Sequence, residues 1–231
     1  MKFVLQRALR VYTSESMAMI EVTVIDYGVG NLLSVSRALE HCGAKVTVTA
    51  DPKSILSASR VVLPGVGAFA DGMAALQANG LDTVACQVAA KGTPLLGICL
   101  GMQLLFDESE EFGATTGLGL IPGRVVNIPA ITTTGESQKI PHIGWNELVL
   151  PSQYRSWQTK LLTDVTPGEA VYFVHSFMAV PASNSHRLAD CIYGGIPISA
   201  AVQRENVAGC QFHPEKSGEV GLKILRRFIL Q

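Results

Sequence analysis

The sequence predicts an α/β fold: a mostly parallel central sheet flanked by helices, with an antiparallel extension and a cysteine on a sharp strand-to-helix turn. Three observations lead there. Short, uninterrupted apolar runs alternate with helix-length segments through the first half of the chain, the pattern of strands buried on both faces. From residue 124 onward the strand-like runs include closely spaced pairs, as antiparallel connections allow. Between the two regions, Gly97-Ile98-Cys99-Leu100-Gly101 joins an apolar strand to a helix-like segment.

Residues 20–26 (IEVTVID) are a β-branched run ending in an acid and a glycine turn, after which Asn31 can cap a helix bearing Leu32, Val35, Leu39 and Cys42. Residues 45–49, 60–63 and 94–98 repeat the short apolar pattern, while 71–78, 81–90 and 102–106 are helix-like. Further strands are expected at 124–128, 170–174, 188–193, 198–203 and 207–212, with turns at Pro167-Gly168 and Gly194-Gly195. Residues 132–137 (TTTGES) read as an exposed loop. The chain closes on a packing helix, 217–230, with Val220, Ile224, Leu225, Phe228 and Ile229 on one face and Lys223, Arg226 and Arg227 on the other. One domain is expected over 20–231. Residues 1–19 are expected to be an extension: Lys2, Arg7 and Arg10 admit a transit peptide, but an extended or misassigned start, with Met17 or Met19 as the true one, is the simpler expectation.

Composition narrows the function. The 18 Lys+Arg against 19 Asp+Glu give a net charge of -1, which offers no field for nucleic acid. Five cysteines without paired spacing suggest neither a disulfide framework nor a zinc cluster, so no metal is expected and a reducing, cytoplasmic compartment fits. No run approaches the roughly 20 apolar residues that cross a bilayer, and no membrane association is expected.

Three glycine-rich segments follow strands. Asp26-Tyr27-Gly28-Val29-Gly30-Asn31 superficially suits a dinucleotide site, but Leu33 replaces the third glycine, which excludes that reading. Pro64-Gly65-Val66-Gly67 is either an ordinary strand-exit turn or a backbone segment whose N–H groups can face an anion. The third, around Cys99, has the form glycine, any residue, nucleophile, any residue, glycine; there the flanking glycines relieve clashes and a helix N-terminus would favour the thiolate. A cysteine nucleophile wants a histidine. Of His41, His142, His175, His186 and His213, only His213 follows an apolar strand and precedes Pro214-Glu215. In extended backbone residues i and i+2 project to one side, so Glu215 can orient the His213 imidazole, and Pro214 biases His213 toward that extended state.

Pro64-Gly65-Val66-Gly67, the Cys99 segment with Gln103, and His213-Pro214-Glu215 together resemble the motifs of class I (triad) glutamine amidotransferases, over roughly residues 20–231. That likeness implies the family's fold, L-glutamine as substrate and no metal or organic cofactor. It also implies an oxyanion hole from the Leu100 N–H and one N–H of Gly65, Val66 or Gly67. Gln103, Glu111, Ser176 and Phe177 are implied near the glutamine, with Glu110 the alternative to Glu111.

Residues 25–32 (IDYGVGNL), 139–146 (KIPHIGWN) and 172–177 (YFVHSF) look like the glutaminase subunits of imidazole glycerol phosphate synthase in histidine biosynthesis. Such subunits form a heterodimer with a (β/α)8-barrel cyclase that takes ammonia through its interior. The likeness places Trp145 at or near the docking face and Asn146 at that junction, with a buried core Trp as the alternative. Lys139 and His142 are left between plain structural roles and coupling of the two sites. A paralogous synthase is the rival partner. A cysteine peptidase or stress protein on a related sheet would give no reason for His213-Pro214-Glu215 together with Gly65-Val66-Gly67.

Overall fold

A computed structural model describes residues 20–231; the extension expected at 1–19 lies outside the described residues. The first half runs β1 (Ile20–Ile25), α1 (Leu32–His41), β2 (Ala44–Thr49), α2 (Pro52–Ser57), β3 (Val61–Gly65), α3 (Phe69–Ala78), α4 (Leu81–Ala90), β4 (Leu95–Cys99) and α5 (Leu100–Leu104). Local chemistry explains the starts of the first two helices. The Asn31 side chain accepts a hydrogen bond from the Ser34 N–H at the start of α1, and Asp51 does the same for Ser54 ahead of Pro52 in α2. The helix at α2 was not anticipated, although Asp-Pro is a helix-start signal.

The second half runs β5 (Phe106–Ser109), β6 (Thr115–Thr116), β7 (Ile121–Asn127), β8 (His142–Glu147), β9 (Ala170–His175), β10 (Phe177–Pro181), β11 (Arg187–Tyr193), β12 (Ile196–Arg204), β13 (Val207–Cys210) and α6 (Gly218–Ile229). The main sheet has the order β11-β12-β13-β4-β3-β1-β2. Pairing is parallel from β13 to β2 and antiparallel from β11 to β13, so the extension expected from the spacing is present. All five residues of β3 and of β4 are buried, as strands covered on both faces must be. Alternation divides them: Val62, Leu96 and Ile98 join a core with Val35, Leu39, Ile224 and Phe228 of α1 and α6. Val61, Leu63 and Leu95 join another with Phe69, Leu76, Leu81 and Val84 of α3 and α4.

Two smaller sheets, β10-β7-β5-β6 and the antiparallel ribbon β8-β9, lie outside this order. Here the sequence reading fell short. The helix expected over 102–106 ends at Leu104, because buried Phe106 opens β5 and pairs with Ile121 of β7. Strands β5, β6, β8 and β10 were unforeseen. Trp145 lies inside β8 opposite Tyr172.

The closing helix turns on its apolar face, so Ile224→Ala, at a fully buried position, should cost about 2–5 kcal/mol in urea unfolding. Arg226→Ala, which removes an exposed ion pair with Glu219, should stay within about 1 kcal/mol. Equal losses at both positions would contradict the packing assigned to α6.

Candidate functional site

Cys99 ends β4 and caps α5 with φ 55 and ψ −113, a left-handed conformation uncommon outside glycine. The surroundings impose it. Ile98 is paired with Cys210 of β13, and Cys99 with Gly65 of β3, so the strand is held on both sides up to the point where α5 must begin. A Cβ on Gly97 would stand 2.6 Å from the Gly101 carbonyl oxygen, and one on Gly101 would overlap the Leu63 carbonyl. The two flanking glycines are therefore demanded by backbone approach, and the turn is the expected elbow.

His213 follows β13 in extended backbone, φ −97 and ψ 94. Its N–H donates to the Tyr172 carbonyl of β9 at 3.0 Å. Ser217 fastens the same place: its hydroxyl donates to the His213 carbonyl at 2.6 Å and accepts from the Tyr172 N–H at 3.0 Å. His213 Nδ1 donates to Glu215 Oε1 at 2.8 Å, with side chains 2% and 1% exposed. The pair was expected from two extended residues on one side of a strand. Instead, Pro214 turns the chain into a short 3-10 helix, Pro214–Lys216, which swings Glu215 back under the ring. Proline still sets His213 extended; the helical turn, not strand alternation, makes the contact.

His213 Nε2 is buried without a hydrogen bond of ordinary geometry. Burial disfavours its cation, yet the Cys99 sulfur and the Glu215 carboxylate outweigh this and push the imidazole up to about 9. Away from His213, burial pushes the Cys191 thiol up to about 12 and the Cys210 thiol further still.

Above this pair opens a cleft of about 370 Å³, within the ~300–1,000 Å³ range of small-molecule sites. Cys99, His213, Val66, Gly67 and Leu100 line it, as do Gln103, Glu111, Ser176 and Phe177. Gly65 sits one residue below the lining, paired with Cys99, and Glu215 lies behind His213. Of the two acids, Glu111 lines the cleft, is buried and accepts from the Phe69 N–H at 2.7 Å at the start of α3. Glu110 pairs outward with exposed Arg124. The Gln103 amide donates to the Phe177 carbonyl at 3.2 Å and to Gln211 Oε1 at 3.0 Å.

Sequence reading missed several lining or supporting residues. Gln211 is fully buried and its amide stands 3.9 Å from the Cys99 sulfur; a glutamine inside an otherwise apolar strand was the available signal. His175 and Phe112 line the cleft, and Ser217 had no sequence signal. Away from the cleft, Trp145 is 59% exposed and shares an outward face of β8 with Ile143, so it is no core residue. The Asn146 amide donates to the Ile192 carbonyl. Among the described residues no cluster of three His, Cys, Asp or Glu is arranged to hold a metal ion, and no helix is long and apolar enough to cross a membrane.

The fold is shared with solved structures that are distant in sequence. PurLQS from Thermotoga maritima superposes with a TM-score of 0.69 at 20% identity, over 92% of this chain and 98% of that one. The acivicin-bound glutaminase domain of CTPS from Trypanosoma brucei gives 0.59 at 15%, over 92% and 95%. The family model described as glutamine amidotransferase class-I matches residues 23–231, and the chain belongs to that family. It is also similar to imidazole glycerol phosphate synthase subunit HisH 1 of Legionella pneumophila (strain Lens), 52% identical over 91% of this chain and 99% of that protein. The HisH subunit of Geobacillus sp. (strain WCH70) is 50% identical, over 90% and 95%.

If close approach dictates the elbow, Gly101→Ala should destabilise the chain by about 1–3 kcal/mol and displace Cys99. Urea unfolding together with the rate of thiol alkylation at Cys99 reads both effects. A variant unchanged in both would contradict the steric account.

Proposed function

We propose that this chain is the glutamine-hydrolysing subunit of an imidazole glycerol phosphate synthase and supplies ammonia to a cyclase subunit, the (β/α)8 barrel the sequence likeness implies. One observation carries the chemistry: a cysteine on a strained elbow shares the floor of a small cleft with a buried His213–Glu215 pair. The assignment to this synthase is supported by the likeness to HisH subunits over nearly their whole length.

In the reaction, the Cys99 thiolate attacks the side-chain amide carbon of glutamine. The resulting oxyanion takes hydrogen bonds from the Leu100 N–H and from an N–H of the Val66-Gly67 turn. His213, held protonated by the sulfur and by Glu215, gives its proton to the departing ammonia, leaving a glutamyl thioester. Neutral His213 then takes a proton from water, which hydrolyses the thioester to glutamate and restores the thiolate–imidazolium pair. Gly67, at φ 102 with open space around it, permits the peptide rotation that aims an N–H at the oxyanion. A complete hole is worth roughly 3 kcal/mol per donor in acyl transfer. Gln103, Glu111, Ser176 and Phe177 are assigned to the glutamine, directly or by shaping its wall. Trp145, exposed beside Ile143 on β8, is assigned to the face that meets the cyclase, with Asn146 at the same strand.

Cys99→Ala should abolish glutamine-dependent product formation by the complex while synthesis from ammonium salts persists; undiminished use of glutamine would overturn the nucleophile assignment. His213→Ala should lower kcat more than Glu215→Ala, because an orienting carboxylate contributes less than the group that moves protons.

A pH profile adds an independent check. His213 is raised from 6.5 to about 9, so its cation persists below that value and is lost above it. The acylation rate should fall as pH rises through about 9, and a profile flat to well beyond that point would contradict the proton donor named here.

A further inference from the structure

Two buried histidines outside the reacting pair face each other across the β8-β9 ribbon, where His142 and His175 are direct cross-strand partners. His142 Nδ1 lies 3.0 Å from His175 Nε2. Beyond His175, its Nδ1 lies 2.8 Å from the Phe177 carbonyl oxygen. Beyond His142, its Nε2 lies 3.3 Å from the Asn146 amide nitrogen, since residues four apart on a strand share a face.

Both ends of this series are fixed by backbone groups. The Phe177 carbonyl can only accept, so His175 Nδ1 carries a hydrogen. At the other end the Asn146 amide cannot turn over, because its nitrogen donates to the Ile192 carbonyl and its oxygen accepts from the Glu147 N–H. The nitrogen therefore donates to His142 Nε2, which must be bare. Burial pushes His142 down to about 4, and His175 as well, against the opposing pull of the Phe177 carbonyl, so both rings are neutral at neutral pH. A neutral ring has one N–H. His142 then carries it on Nδ1 and donates to bare His175 Nε2, and the two ends, reasoned separately, agree.

We propose that Asn146, His142 and His175 form a one-directional hydrogen-bond chain from the exposed ribbon to the cleft. In it, His142 and His175 are positioning residues for the cleft wall at Ser176 and Phe177. The chain ends on the carbonyl that also accepts from Gln103, whose amide reaches Gln211 beside Cys99. It begins one residue from Trp145, on the strand whose outward face is exposed. Stacking fixes the first ring between Tyr193 and Phe173, with centroids 4.1 and 4.9 Å away. Protein docking on β8 would thus reach the glutamine wall through oriented donors rather than through apolar packing. The coupling to glutamine rests on the proposed amidotransferase reaction; the direction of the chain does not.

Long-range nitrogen–proton correlation spectra of the full chain with labelled histidine test the direction without turnover. At pH 7 both His142 and His175 should show the neutral Nδ1–H tautomer, whereas free histidine favours Nε2–H. An Nε2–H tautomer or an imidazolium at either ring would overturn the proposal. In the assembled complex, His142→Phe keeps the stacking but removes the donor; KM for glutamine should rise about tenfold while kcat stays within about twofold. His142→Asn, whose amide can stand where Nδ1 stood, should recover most of that loss. Unchanged KM in a folded His142→Phe complex, or no recovery with Asn, would overturn the positioning role. If the unmodified complex failed to hydrolyse glutamine, the amidotransferase reading would fall, and the tautomer result would still decide the chain.

Discussion

The site depends on one constraint, the left-handed backbone at Cys99. A residue that ends a fully buried strand and starts a helix at once must reverse within a single peptide, and the neighbours leave little freedom. β3 and β13 hold β4 from either side, and the Leu63 carbonyl fills the space a side chain at 101 would need. The strain at Cys99, of order 1–3 kcal/mol for such a conformation, is sustained by the core around β4. Its consequence is that the sulfur leaves the sheet at the end of β4 where the Gly65-Val66-Gly67 turn also leaves, because Gly65 and Cys99 are paired.

The histidine reaches the same place by a separate route. β13 runs parallel to β4, so its end delivers His213 beside Cys99 without any loop having to bridge the distance. Short-range restraints then hold it there: Pro214 sets the backbone, the 3-10 turn returns Glu215, and Ser217 ties the His213 carbonyl to β9. The electrostatics are a consequence of this placement. Burial alone would keep His213 neutral; the nearby sulfur and carboxylate reverse that, whereas His142 and His175, buried without an acid, are held neutral. Similar burial thus gives His213 and His175 opposite charge states within one cleft, and the difference is the presence of an anionic partner.

Legibility in the sequence tracked the range of the determining interaction. β1 to β4, α1, α4 and α6 were readable because apolar periodicity and capping are local, and the elbow was readable because steric demand writes glycine at both 97 and 101. Strands β8 and β10 were harder. The residues of β8 alternate buried and exposed around a glycine, and only pairing with β9 makes them a strand. Phe106 looked like the end of a helix because its role as a strand residue is decided by β7, well along the chain. The His213–Glu215 contact was anticipated for a partly wrong reason, while Ser217 and the direction of the His142–His175 bond depend on contacts between segments far apart in the chain.

The central claim is that Cys99 forms a covalent bond to the substrate. The full chain, assembled with the proposed cyclase partner, would be mixed with glutamine, quenched in acid during turnover and mapped by peptide mass spectrometry. The account predicts a glutamyl adduct on the peptide that carries Cys99, lost on treatment with hydroxylamine as a thioester is, and no adduct at Cys42, Cys86, Cys191 or Cys210. Steady glutamate production by a Cys99→Ser complex, or an adduct at one of those other cysteines, would contradict it.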